Sequence, residues 1–318
     1  MKAVEVSAFG TSEVLNLKEI AAPVANESEV LIEIHAAGVG RVDIMARQGL
    51  YALLTDPGFI PGIEIAGVIL KTGHNVDKNW IGKRVFARTF KGGYAEQIAV
   101  PFSAVVEIPD AVSMTDAVAL GVNALVADFS LRKAQLSEGS RLLIRGITGG
   151  IGTIATKLAL LKKIDVTALL INSDKKAELE ELGVTGFIYD GETSIYERSF
   201  DGVLDLVFGP GIDPFVDLLK DNSNYVISGG VGGGPEPDFG MSFVKRYHRS
   251  LSLHCFSLNA TTDEKIRDSM SGLLKLAADG LLTPPIDKVF PLTAAREAHE
   301  LLESGNVFGK VVLEVESK

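Results

Sequence analysis

The stretch that decides the fold runs from Arg141 to Gly152 and reads Arg-Leu-Leu-Ile-Arg-Gly-Ile-Thr-Gly-Gly-Ile-Gly. Arg141–Ile144 is a short apolar run of the kind that forms a buried strand. Beyond the glycines, apolar residues recur at helical spacing, among them Ile151, Ile154 and Leu158. A glycine-rich turn between a strand and an amphipathic helix predicts a dinucleotide-binding βαβ unit.

The glycines of this stretch explain why a nucleotide would bind there. Glycine lets backbone amides approach a pyrophosphate, and the N-terminus of the following helix favours negative charge. The alternative is a tight strand-to-helix turn that binds no ligand. A second strand at Asp165–Ile171, about 20 residues further on, favours the nucleotide interpretation. The predicted cofactor contacts of this loop are Gly146, Thr148, Gly149, Gly150, Ile151 and Gly152.

The end of the second strand indicates which nicotinamide cofactor binds. An acidic residue there would bind the ribose 2'-hydroxyl of NAD and repel the 2'-phosphate of NADP. This chain has Asn172 and Ser173 instead, and we expect Ser173 to cap a helix that contains Lys176. These residues predict NADPH. Asp174 argues against that choice, and its alternative role is an interaction with the helix dipole.

The rest of the chain falls into two textures. From Arg141 to Ile227, short apolar strands alternate with amphipathic helices, which predicts an α/β fold with a doubly wound parallel sheet. Up to about Pro109 the chain is rich in short β-prone runs and turns, typical of a distorted barrel or sandwich. A long helix is predicted over Ser113–Lys133.

Composition limits the classes of function. The chain has 318 residues and a formal net charge of −10, so nucleic acid is an unfavourable partner. Cys255 is the only cysteine, which excludes an internal disulfide and a cysteine-rich zinc site. The start lacks a signal-peptide core, and no uninterrupted apolar run approaches the ~20 residues that span a bilayer. We expect a cytoplasmic protein without a membrane partner.

Six different short motifs also follow one another along essentially the whole chain. They are Ala37-Gly38-Val39, Pro61–Val68, Gly92–Glu96, the glycine loop, Asp201–Asp205 and Gly309–Leu313. Together they resemble the zinc-independent quinone oxidoreductase branch of the medium-chain dehydrogenase/reductase family. The resemblance implies a GroES-like β domain at 1–118 and 262–318, a Rossmann domain at 119–261, and a homodimer.

The resemblance also bears on metal. Zinc-using members of the family have a cysteine where this chain has Gly40 and a histidine where it has Ile63. Neither replacement carries a side-chain donor atom for zinc. We therefore expect no catalytic zinc.

Few side chains are candidates for the chemistry. Tyr51 matches the tyrosine of the family's Arg-x-Gly-x-Tyr pattern, so the resemblance implies that its hydroxyl binds a substrate carbonyl. Alternatively, Tyr51 is a wall residue of an aromatic pocket, and water is the proton donor. Ser228 and Gly229 follow a strand and could approach the cofactor, or simply form a turn. Phe256 matches a segment that borders the nicotinamide in the family.

These features predict an NADPH-dependent oxidoreductase that transfers hydride to a quinone or an α,β-unsaturated carbonyl compound without zinc. Gly40 and Met45 make the matching region less polar than in quinone reductases, so strict quinone specificity is open. Two alternatives remain. One is an enoyl-thioester (enoyl-CoA or enoyl-ACP) reductase on the same scaffold, and the other is a low-activity NADPH-binding regulatory or structural protein.

Overall fold

A computed structural model of the chain describes residues 1–189 and 193–316. The chain forms two compact units. The first unit is Met1–Val122 with Thr262–Lys318, and the second unit is Asn123–Thr261. The boundaries predicted from the sequence lie at 118/119 and 261/262, and this division falls at 122/123 and 261/262.

The strands and α-helices follow the chain in this order. The strands are β1 (Lys2–Val6), β2 (Leu15–Glu19), β3 (Glu29–Val39), β4 (Glu64–Thr72), β5 (Arg84–Arg88), β6 (Gln97–Pro101), β7 (Val105–Glu107), β8 (Arg141–Arg145), β9 (Asp165–Leu170), β10 (Gly186–Tyr189), β11 (Phe200–Asp205), β12 (Leu219–Ile227), β13 (Ser252–Cys255), β14 (Ile286–Pro291) and β15 (Lys310–Glu314). The helices are α1 (Arg41–Arg47), α2 (Met114–Ala134), α3 (Gly150–Leu161), α4 (Lys176–Glu181), α5 (Asp213–Asp217), α6 (Met241–Val244), α7 (Asp263–Ala278) and α8 (Ala295–Glu303).

The first unit is built on a sheet in the order β14-β15-β3-β4-β5-β7, with β6 also paired to β3 and a separate pair β1-β2. Most neighbours are antiparallel, and β15 returns from the C-terminal part of the chain to pair with β3. The core between the strands and α8 is apolar, and β4 and β5 contribute Ile65, Ile69, Val85 and Ala87 to it. This is the GroES-like β domain that the sequence predicts.

The second unit is a six-stranded parallel sheet in the order β10-β9-β8-β11-β12-β13. Numbered within the unit, that order is 3-2-1-4-5-6, which is the doubly wound Rossmann arrangement. The strand order reverses next to β8, and ligands of such sheets bind at that point, beyond the carboxyl ends of the strands. The α/β fold class predicted from the sequence is confirmed.

Helix α2 spans the division between the units and is not continuous. At Gly121 the backbone has φ 27° and ψ −130°, a conformation that a residue with a side chain rarely adopts. A side chain at Gly121 would also collide with Glu64, whose carboxylate accepts the Val122 N–H at 2.5 Å. The sequence predicts an unbroken helix here. The break was not predicted because it is imposed by Glu64, a residue of β4, and so leaves no local signal.

By length and composition, α2 is long and apolar enough to cross a membrane, although it contains no uninterrupted apolar run of that length. About 67% of its most apolar window is buried inside the protein. Burial against the protein's own core is the ordinary fate of an apolar helix of this kind.

One helix boundary corrects the sequence analysis. Helix α4 begins at Lys176, its N-cap residue is Lys175, and no side chain caps it. The prediction that Ser173 caps this helix is therefore wrong. Asn172 explains the shift, because its side-chain oxygen accepts the N–H of Asp174 at 3.1 Å and forms a local turn that competes with the first helical turn. The helix has Leu182 as its C-cap residue, and Gly183 follows with φ 98°.

Candidate functional site

The glycine loop, Gly146–Gly152, leaves the central strand β8 at the point where the strand order reverses. Helix α3 follows at once, with Gly149 as its N-cap residue. The first amide groups of an α-helix have no carbonyl partner within the helix, so those of Ile151 and Gly152 are available to an anion. The predicted loop residues thus lie together at the correct edge of the sheet.

Gly152 and Gly149 have different structural roles in this loop. A side chain at Gly152 would come within 2.5 Å of the Gly146 carbonyl oxygen and 2.6 Å of Ile147, so the close packing of helix on loop requires glycine there. At Gly149 the nearest atom to such a side chain is the Gly146 oxygen at 3.6 Å, an ordinary contact. The space above Gly149 is therefore open, which fits the approach of a pyrophosphate to the backbone.

Three other predicted residues lie beyond the carboxyl ends of neighbouring parallel strands. Ser228 and Gly229 follow β12, where the Ser228 N–H donates to the Asp205 carbonyl at 3.0 Å. Phe256 follows β13 and stacks on Phe129 of α2, with ring centroids 5.7 Å apart. The carboxyl ends of parallel strands meet at one edge, so these residues share that edge with the glycine loop.

The residues predicted to read the adenosine ribose are at the end of β9. Asn172 and Ser173 are exposed. Lys176 is 3.6 Å from Glu180 and lies over the ring of Phe187, while Lys175 pairs with Glu178 at 3.2 Å. Exposed ion pairs of this kind are worth only about 0–1 kcal/mol, so Lys176 can exchange Glu180 for a phosphate at little cost.

Sequence reasoning missed a buried cluster behind the glycine loop. The carboxylate of Asp205, at the end of β11, accepts the Tyr225 hydroxyl at 2.6 Å and the Arg145 guanidinium at 3.2 Å. It also accepts the N–H groups of Val207 and Phe208. Burial and the charge of Asp205 raise the pKa of Tyr225 well above its usual value. The cluster ties β8 to the turn after β11; the motif Asp201–Asp205 was its only sequence signal.

In the first unit, Tyr51 follows α1 and packs against the core of that unit. The buried side chain of Asp43 holds α1 in place, because it accepts the N–H groups of Gly40 and Gly62, both at 2.9 Å. Burial raises the pKa of Asp43 to about 6, against the lowering effect of these hydrogen bonds. Arg47 is buried as well, and donates to Glu303 at 2.5 Å. These contacts hold α1, the helix that precedes Tyr51, within the first unit.

A cation that sequence reasoning missed lies near Tyr51. Arg88 is the last residue of β5 and stands directly opposite Glu64 in β4. Burial lowers the pKa of Arg88, and its electrostatic interactions with Tyr51 and Asp263 oppose that shift. We call Tyr51, Arg88 and Asp263 the Tyr51 region. No sequence motif connects them, since only the fold brings the three segments together.

The two positions that carry zinc ligands in other members of the resembled family have local roles here. Gly40 is the N-cap residue of α1, and the carbonyl of Ile63 accepts the Thr89 N–H at 2.8 Å. Next to Ile63, the carboxylate of Glu64 pairs with the buried ammonium of Lys310. Among residues 1–189 and 193–316, no three His, Cys, Asp or Glu side chains lie together as a possible metal site.

Two family models match the chain. Residues 26–110 match the alcohol dehydrogenase GroES-like domain, and residues 158–313 match a model described as zinc-binding dehydrogenase. A quinone oxidoreductase from Lama guanicoe is 28% identical over 326 positions, which cover 98% of this chain and 97% of that protein.

Solved structures show the same architecture over the full length. The quinone oxidoreductase from Coxiella burnetii is 25% identical and superposes with a TM-score of 0.86, covering 99% of each chain. The Escherichia coli quinone oxidoreductase complexed with NADPH is 24% identical, with a TM-score of 0.89 over 99% of this chain and 100% of that one. At that identity the second likeness establishes the fold alone.

Proposed function

Because this chain belongs to the medium-chain dehydrogenase/reductase family, in its quinone oxidoreductase-like branch, we propose that it reduces quinones or α,β-unsaturated carbonyl compounds with NADPH and without zinc. The observation that carries the proposal is the glycine loop after the central strand of a 3-2-1-4-5-6 sheet, with open space above Gly149. The curated quinone oxidoreductases that match over nearly the whole chain support the choice of acceptor.

The residues of the second unit would hold the cofactor. Backbone amides of the glycine loop bind the pyrophosphate, and Asn172, Ser173 and Lys176 bind the 2'-phosphate. Ser228, Gly229 and Phe256 lie at the strand ends of the same edge and contact the nicotinamide half. NADPH, when bound, supplies a hydride.

The first unit would supply what the acceptor needs. The acceptor gains one hydride and one proton, which together amount to two electrons and two protons. Tyr51 donates a hydrogen bond to the acceptor's carbonyl oxygen, which stabilises the negative charge that develops there. The proton comes from that hydroxyl or from water. No other titratable side chain is required by this chemistry.

The test is the steady-state oxidation of NADPH by the purified protein with a panel of quinones, enones and enoyl-CoA thioesters. Turnover of quinones or enones supports the proposal. Turnover confined to enoyl-CoA thioesters would identify the enoyl-thioester reductase instead. Tight NADPH binding without turnover of any acceptor would leave a regulatory or structural protein, and no NADPH binding would overturn the proposal altogether.

The proposal extends to the setting of the protein. We propose that it works as a homodimer in the cytoplasm, with a small-molecule acceptor and without nucleic acid or membrane as partners. Sedimentation equilibrium of the purified chain measures the first point, and a mass of one chain at micromolar concentration would contradict it.

A further inference from the structure

The turn after β11, Asp205–Gly209, which we call the Asp205 turn, lies against the first glycine of the glycine loop. A side chain at Gly146 would come within 3.1 Å of the Val207 side chain and 3.2 Å of the Leu206 β-carbon. The Leu206 N–H also donates to the carbonyl of Arg145, the last residue of β8, at 3.0 Å. Contact with the Asp205 turn therefore fixes the position at which the glycine loop begins.

The Asp205 turn also contacts the segment after β12. The Ser228 N–H donates to the Asp205 carbonyl at 3.0 Å, and a side chain at Gly229 would collide with the Leu206 carbonyl oxygen. Strand β11 has β8 on one side and β12 on the other. The turn thus lies between two segments that the proposed function assigns to the cofactor, the glycine loop and Ser228–Gly229.

The backbone of the turn is strained, and the Asp205 carboxylate holds it. Phe208 has φ 47°, in the left-handed region that residues with a side chain rarely adopt. One oxygen of the carboxylate accepts the N–H groups of Val207 at 3.0 Å and Phe208 at 2.7 Å. The other oxygen accepts the Tyr225 hydroxyl at 2.6 Å and the Arg145 guanidinium at 3.2 Å. Strained backbone persists where surrounding contacts fix it, and it clusters at ligand sites.

We propose that Asp205 is a positioning residue for the cofactor, which holds the glycine loop and Ser228–Gly229 at the spacing that NADPH requires. Asp205 is buried, so it acts through the backbone of the Asp205 turn and touches no ligand itself. Without the carboxylate the strained turn would relax, and Gly146 would move with it. The inference rests on the proposed function, because it concerns the cofactor of that same site.

The test is Asp205→Asn, which keeps the size of the side chain. Its amide nitrogen donates hydrogen bonds and cannot accept those of Tyr225 and Arg145. The Kd for NADPH, measured by fluorescence titration, should rise about tenfold, since a hydrogen bond to a charged group is worth about one decade of affinity. The Kd for adenosine 2'-monophosphate, measured by ligand-observed NMR, should stay unchanged. That ligand carries the 2'-phosphate but no pyrophosphate, so it does not need the glycine loop.

Two further variants show which part of the structure is responsible. Asp201→Asn is the matched control, because Asp201 lies near the opposite end of β11 and accepts the Arg141 N–H at 2.8 Å and the Lys220 ammonium at 2.9 Å. It should leave both Kd values unchanged. Tyr225→Phe removes one donor to the carboxylate and keeps the buried ring. It should raise the Kd for NADPH about threefold, and it decides the inference if Asp205→Asn fails to fold.

The outcomes for NADPH separate this inference from the proposed function. If the unmodified protein binds NADPH and Asp205→Asn binds it equally well, the inference is overturned and the proposed function stands. Weakening of NADPH and adenosine 2'-monophosphate by the same factor would also overturn the inference, because a general loss of structure affects both ligands alike. An unmodified protein that binds no NADPH would overturn the proposed function.

In that last case, amide hydrogen exchange of the unliganded protein still decides the inference. Asp205→Asn should speed exchange of Gly146–Gly152, because the loop would lose the turn that holds it, and Asp201→Asn should not. Equal exchange of the loop in Asp205→Asn and the unmodified protein would overturn the inference.

Discussion

In the glycine loop of the second unit, consecutive residues from Gly146 to Gly152 form the whole of the proposed pyrophosphate site. In the Tyr51 region of the first unit, one side chain follows α1, a second ends β5 and a third begins α7. The loop consists of consecutive residues that act through their backbone, so its structure can be predicted from the local sequence. The Tyr51 region exists only after the strands have paired. The candidate nucleotide site can thus be predicted from the sequence, and the Tyr51 region cannot.

The largest expected effect tests the local region. Gly149→Val adds a side chain above the loop, and its β-carbon would make only an ordinary contact, 3.6 Å from the Gly146 carbonyl oxygen. It should block the backbone amides from the pyrophosphate and lower NADPH affinity at least about 100-fold, the value of two charged hydrogen bonds. Fluorescence titration with NADPH measures it.

The control is Gly272→Val in α7, where a side chain meets nothing within 4 Å. It should leave NADPH affinity unchanged. If Gly149→Val and the unmodified protein bind NADPH with equal affinity, the loop is only a turn. The comparison between the glycine loop and the Tyr51 region would then no longer hold.

The next effect tests the assembled region. Tyr51→Phe removes one hydroxyl and keeps the ring packed on the core of the first unit. If that hydroxyl stabilises developing charge, kcat should fall at least about tenfold with little change in KM. Stopped-flow single turnovers with a saturating quinone separate the chemical step from product release. An unchanged single-turnover rate would reduce Tyr51 to a wall residue, with water as the proton donor.

Cofactor choice tests how much the end of β9 contributes. NADPH should exceed NADH in kcat/KM by at least about tenfold, mostly through KM, because in the proposed site Lys176 and two neutral residues would face the 2'-phosphate. Lys176→Ala should shrink that preference, whereas Lys175→Ala, which removes the partner of Glu178, should not. Asn172→Asp should act most strongly, since a carboxylate repels the phosphate. Equal or better kcat/KM with NADH in the unmodified protein would show that Asp174 already plays that role.

The pH dependence of stability tests the buried titratable side chains of the first unit. His299 is buried and its Nε2 lies 3.0 Å from the Tyr94 hydroxyl. Burial, and then the charge of Arg47, lower the pKa of His299 to about 3 from its ordinary 6.5. Between those values the unfolded chain binds the proton and the folded one does not, so His299 makes stability fall as the pH falls.

Asp43 has the opposite effect in the same unit. Its pKa is raised from 3.8 to about 6, so between pH 6 and 3.8 the folded protein binds the extra proton and gains stability as the pH falls. The two contributions oppose one another from about pH 6 to 4. In His299→Gln only the contribution of Asp43 remains.

The free energy of unfolding of His299→Gln should therefore rise relative to the unmodified protein by about 1.4 kcal/mol per pH unit on acidification from 6 to 4. Urea denaturation at each pH measures it. Gly149→Val, in the other unit, should run parallel to the unmodified protein. Parallel curves for His299→Gln as well would exclude the proposed titration of His299.

The smallest expected effect is none at all. Gly40 and Ile63 offer no side-chain donor atoms, so the purified protein should carry no stoichiometric zinc, and a chelator should leave its activity unchanged. Metal analysis by plasma mass spectrometry measures it. About one tightly bound zinc per chain would contradict the expectation.

The sequence predicted what depends on neighbours in the chain. The strand before the loop, the glycine spacing and the apolar face of α3 are local, and the α/β class follows from their repetition. The helix after β9 was placed two residues too early, because the local turn that Asn172 forms competes with the first helical turn and has no strong sequence pattern. The break of α2 at Gly121 was missed since its cause, Glu64, lies in a distant strand.

The sequence by itself thus determined the candidate nucleotide site of this protein, because a glycine loop needs only backbone, a preceding strand and a following helix. Only the tertiary structure decided the Tyr51 region. The pairing of β4 with β5 sets Arg88 opposite Glu64. The return of the chain at α7 allows Asp263 to interact electrostatically with Arg88. Pairing register and chain return are fixed by burial of apolar faces across the whole unit, and no short stretch of sequence records them.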